Sequence, residues 1–112
     1  MEQVSLEVYG LLHGLGVTPN YAGYFQTAYA VGLCMEEPER LTLVTKLVYM
    51  EVAKKYRTTW KAVERNIRTV ASAVWERRPE ALQALMGRSL NSSPHASQFL
   101  AALTVNALSA RR

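Results

Sequence analysis

The sequence predicts an all-α fold, a compact bundle of about six helices containing a helix-turn-helix. Three observations carry this. Apolar residues recur three and four positions apart along most of the chain. Proline and glycine stand where helices start and stop, at Pro19, Pro38 and Pro79 and at Gly14, Gly16 and Gly87. Residues 50–76 run from a short apolar and basic stretch, through a threonine pair, into a long amphipathic one. A length of 112 residues suits one domain, 1–112, and 49% hydrophobic with 20% charged residues suits a folded globule.

Val4, Val8, Leu11, Leu12 and Leu15 make the stripe of a first helix, which Gly14 and Gly16 stop. Thr18 followed by Pro19 reads as a cap and first residue, opening a second helix from about Pro19 to Met35. Its core candidates are Tyr21, Phe25, Ala28 and Leu33. Glu36, Glu37 and Pro38 break it, and Pro38 opens a third helix with the stripe Leu41, Val44, Thr45 and Val48. No proline or glycine lies between Leu47 and Tyr56, so the sequence does not locate a break before the next helix.

Val52, Ala53 and Tyr56 are the apolar positions of that next, short helix. Thr58 and Thr59 suit a turn and a cap, because a hydroxyl can accept from the free N–H groups of the following turn. Arg57 or Thr58 stands where a turn glycine is usual, which predicts a turn slightly longer than the minimal form. A long helix follows with Val63, Ile67, Val70, Ala71 and Val74 inward, and Lys61, Glu64, Arg65 and Arg68 outward at i, i+3, i+4 and i+7. Ala53 precedes Val63 by ten residues, as expected if both sit where two crossing helices touch. Arg77, Arg78 and Pro79 end the long helix, and Pro79 to Met86 is a short one stopped by Gly87. Residues 88–95 form a loop. Phe99, Leu100, Leu103, Val105, Ala107 and Leu108 support a last helix from Ala96 to Ala110.

Charge is concentrated. Residues 1–53 carry two bases against six acids, whereas residues 54–78 carry eight bases against two acids, a local net charge of +6 in a chain of +4. A basic block inside an otherwise acidic chain points to a polyanion, or else to a solvated face with no partner. Several classes are excluded. The longest apolar run, Ala28 to Met35, is too short for a membrane span. The first basic residue is Arg40, so a secretory signal is not expected. The single cysteine, Cys34, reads as core in a reducing cytoplasm. All nine acids are Glu, so no aspartyl phosphate receiver is present in these residues. His13 and His95 stand alone, and no nucleotide-binding, hydrolase or metal motif occurs. An enzyme, a cofactor and a metal are therefore not expected.

Residues 45–76, TKLVYMEVAKKYRTTWKAVERNIRTVASAVWE, resemble a known family. The chain is similar to the C-terminal DNA-binding effector domain of the stage-zero sporulation master response regulators of Firmicutes. The likeness extends to the opening LLHGLGVTPNYAGY, to Trp75 and to the late SQFLA segment. It implies a sporulation transcription regulator of the cytoplasm and nucleoid that binds double-stranded promoter boxes with a GTCG-like core, commonly in tandem. A homodimer on DNA and a contact with RNA polymerase belong to the same expectation. The resemblance places Lys61, Glu64, Arg65 and Arg68 at the bases, and Lys54, Lys55, Arg57, Thr58, Thr59 and Trp60 at the phosphates. Arg65 is the best guanine reader among them, since its planar fork can donate to O6 and N7 together.

Three departures stand out. Ala62 replaces an arginine common in the family, the proline usual near Met50 is missing, and no receiver domain is expected in these residues, which predicts either a piece of a longer regulator or a stand-alone relative. Glu64 and Arg68 are also spaced to pair with each other instead of reading bases. The alternative function is a protein–protein module that pairs with a related full-length regulator and modulates it.

Overall fold

The computed structural model describes residues 6–111. The chain folds as α1 (Leu6–Gly14), α2 (Tyr24–Glu36), a 3-10 helix (Pro38–Leu43), a π turn (Thr45–Tyr49), α3 (Met50–Tyr56), α4 (Trp60–Arg77), α5 (Pro79–Met86) and α6 (Ala96–Ala110). No strand occurs among the described residues. The all-α expectation holds. Val4, assigned to the first stripe, lies outside the described residues.

The helix α6 is the central post. It packs against α1, α2, α4 and α5, and its Phe99, Leu100 and Leu103 are fully buried. Around it close Val8 and Leu12 of α1, Ala28 and Val31 of α2, Leu82 of α5 and the inner row of α4. That row is Val63, Ile67, Val70, Ala71 and Val74, all five as the periodicity predicts. Val105, counted among the residues supporting α6, instead stays 60% exposed on its outer side.

The second helix differs from expectation. It starts at Tyr24, not near Pro19, because residues 18–23 form successive turns in which Tyr21 N–H donates to Thr18 O and Tyr24 N–H to Tyr21 O. The Thr18 hydroxyl bonds to the side chain of Asn20 instead of capping a helix. Gly23 makes the corner with φ +88°, and a Cβ there would sit 2.7 Å from the Asn66 carbonyl oxygen. Only glycine permits this approach of α2 to α4. Once the helix begins at Tyr24, that ring turns inward, while Phe25 is 49% exposed and outside the core.

The third helix is also revised. Pro38 opens a 3-10 helix, and the chain then passes through the π turn into α3 without a break. A π turn holds more residues than an α turn, so it rotates the faces of α3 about the helix axis. Val48 and Tyr49 are buried, Leu41 and Val44 half-buried, and Thr45 is exposed, against its placement in the stripe. The π turn is closed by Met50 N–H donating to Thr45 O. A proline at this position has no N–H to give, so methionine here bears directly on the geometry leading into α3. Arg40 ties the segment together, donating from Nη1 to Leu47 O at 2.7 Å and pairing through Nη2 with Glu37 at 2.9 Å.

Candidate nucleic-acid interface

The junction between α3 and α4 is built from backbone rules. Tyr56 ends α3, and Arg57 takes the left-handed conformation, φ 54° and ψ 52°. Thr58 N–H then donates to Ala53 O at 3.0 Å and Arg57 N–H to Lys54 O at 3.4 Å. This is the paired closure that usually carries glycine, here carrying arginine. Thr59 comes next as the cap of α4, its hydroxyl accepting from Ala62 N–H at 3.1 Å. Only residues 57–59 separate the helices, so the turn has the minimal length and not the longer form expected. Ala53 and Val63 are both buried where α3 meets α4, as their spacing predicts.

The two helices therefore present one exposed basic surface. Lys54, Lys55, Arg57, Thr58, Thr59, Trp60, Lys61, Arg65 and Arg68 are all exposed, and Glu64 is half-buried on the flank. Their electrostatic states differ. Lys54 pairs with Glu51 at 3.3 Å, and the Lys55 ammonium lies 5.4 Å from the Tyr29 ring centre. The Lys61 ammonium stands 5.8 Å from the centre of the Trp60 indole. Arg68 grips Glu64 through two hydrogen bonds of 3.2 Å, so the pairing that the spacing allowed is formed in the free chain. The guanidinium of Arg65 has no hydrogen-bond or ion-pair partner among the described residues. Arg65 also lies nearly opposite the buried row of α4, at the outermost position of the helix.

Two ionisable side chains, Tyr49 and Cys34, are buried in the core. Burial pushes the Tyr49 phenol up to about 12, with the nearby Glu64 carboxylate adding to the effect. Burial likewise pushes the Cys34 thiol to about 11, which keeps it a protonated core side chain. No helix among the described residues is long and apolar enough to cross a membrane.

Over residues 8–107 the chain matches the family described as the sporulation initiation factor Spo0A C terminal. It belongs to that family. The Spo0A C-terminal family is a DNA-binding effector domain of the sporulation regulator, regulatory and not enzymatic, and DNA is its partner. The match contains the whole of the α3–turn–α4 unit and its basic surface.

Two features of the interface are not apparent from the sequence pattern. Asn66 donates from its side chain to Gln26 at 3.0 Å, bracing the flank of α4 against α2. Ser72 is hydrogen-bonded to Ser93 at 3.2 Å, bringing the 88–95 loop onto the outer side of α4. Ser72 falls seven residues after Arg65, so helical spacing does place it on the same face. Its partner, in a loop 21 residues away, leaves no such signal.

Proposed function

We propose that this member of the Spo0A C-terminal family binds double-stranded DNA sequence-specifically as one domain and regulates transcription by doing so. The first half of α4 enters the major groove. Arg65 reads a guanine there, with Lys61, Glu64 and Arg68 facing the neighbouring bases. Lys54, Lys55, Arg57, Thr58, Thr59 and Trp60 hold the phosphates, and these contacts fix register without reading sequence. Tandem boxes about one helical turn apart, roughly 10 bp, would bring two copies together as a homodimer on DNA.

The observation that carries this reading is the state of Arg65. An unpartnered guanidinium at the outermost position of a helix can turn its fork to O6 and N7 of one guanine without breaking any contact. Arg68 and Glu64 act on bases only by releasing each other, which makes them secondary readers.

Selection of bound sites from random DNA is the first test, and failure to recover a motif would sink the proposal. On the recovered site, Arg65→Ala should cost about 1–3 kcal/mol and relax selectivity at one base pair. Its melting should stay within about 0.5 kcal/mol of the parent, as for other exposed substitutions. Arg65→Lys should restore part of the affinity but not the selectivity. Early melting of the alanine variant would make Arg65 a structural residue instead.

A further inference from the structure

We propose that the connection between α5 and α6 is a second DNA-contacting element, which takes the phosphates beside the groove that α4 enters. This rests on the reading of α4 given above. The loop is not a free tether. Gln83 holds one end, its side-chain oxygen accepting from Leu90 N–H at 2.7 Å. Pro94 is buried, and His95 and Gln98 close a capping box at the start of α6 at the other end. In the middle, Ser93 is hydrogen-bonded to Ser72.

Ser72 fixes where the loop stands. It lies two helical turns after Arg65, hence on the same side of α4 and about 10 Å further along its axis. The major groove is about 12 Å wide, so an element at that offset from a side chain on the groove floor meets the phosphate ridge. The loop's chemistry suits that ridge. Asn91 and Ser92, next to Ser93, are exposed, and neither has a hydrogen-bond partner among the described residues. They offer an amide, a hydroxyl and two consecutive backbone N–H groups, all donors of the kind that hold phosphate oxygens. No acid occurs after Glu80, so nothing on the loop repels DNA. Glu76, exposed on the same face one turn beyond Ser72, marks the end of the DNA-facing stretch.

Neutral donors leave the salt dependence of binding unchanged, so the test adds a charge. In the full chain, Ser92→Lys should place one more cation on a phosphate and steepen the log–log salt slope by about 0.9. Val105→Lys adds the same charge on the outer side of α6 and should leave the slope as it was. Ser92→Glu should weaken binding on the order of tenfold at low salt, equally on all sequences. Equal slopes for the two lysine variants, with the parent still selecting its site, would overturn the loop contact alone. A parent chain that selects no site would overturn the reading of α4 and the loop contact with it.

Discussion

In α4, five buried residues share one face and the charged residues crowd the other, over an unbroken α-helix of 18 residues. Between Pro38 and Tyr49 the same chain passes through a 3-10 helix and a π turn before it reaches α3. Both segments shape the exposed basic surface, but by different means. The geometry of α4 is local, set by a threonine cap, a single apolar row and a C-terminal proline. The geometry of the 38–49 segment depends on side chains, on the Arg40 clamp across it and on the burial of Tyr49 against the rest of the fold. A helix that holds its own shape can be carried on a support whose shape depends on what its side chains grip.

The largest effect should come from the inner row of α4. Ile67→Ala removes a fully buried side chain and should cost about 2–5 kcal/mol in denaturant unfolding. A cost under about 1 kcal/mol would mean that α4 is not the rigid member of the comparison.

Arg40→Ala probes the other member. It removes a donor to the Leu47 carbonyl and the pair with Glu37, and should cost about 1–3 kcal/mol. The informative readout is local, in amide exchange. Protection should fall over residues 45–53 and hold over 60–77. Uniform loss along the chain would break the distinction between the two segments.

Thr59→Ala asks whether the junction belongs with α4. It removes the bond from Ala62 N–H and should cost about 1 kcal/mol, while Thr59→Ser should be nearly neutral. An alanine variant of unchanged stability would show that the turn closure at Thr58 already suffices.

The same contrast decides how much of the structure is legible in the sequence. The buried row of α4, the Thr59 cap, α5 with its Gly87 stop and the span of α6 all come from periods and caps, and all are legible. The start of α2 is not. Pro19 is a permissible first residue, but the corner belongs to Gly23, whose need for glycine arises from Asn66 far along the chain. Phe25 misleads because α2 is apolar on nearly every side, so periodicity cannot choose its inner face. In the interface, the basic positions and their spacing are visible in the sequence. Which cations are engaged is not, since the Glu64–Arg68 grip and the freedom of Arg65 depend on rotamers and neighbours.

The left-handed Arg57 has a practical consequence. A side chain in that conformation costs roughly 1–2 kcal/mol relative to glycine. Arg57→Gly should therefore relieve the backbone while deleting a cation, and Arg57→Gln should delete the cation while leaving the backbone as it is, so the difference between the two isolates the strain. The position becomes a dial with two independent settings. One sets the backbone strain at the joint between α3 and α4, and the other sets the charge that the joint presents. Few places on a small domain allow the backbone strain of a joint and its charge to be varied separately.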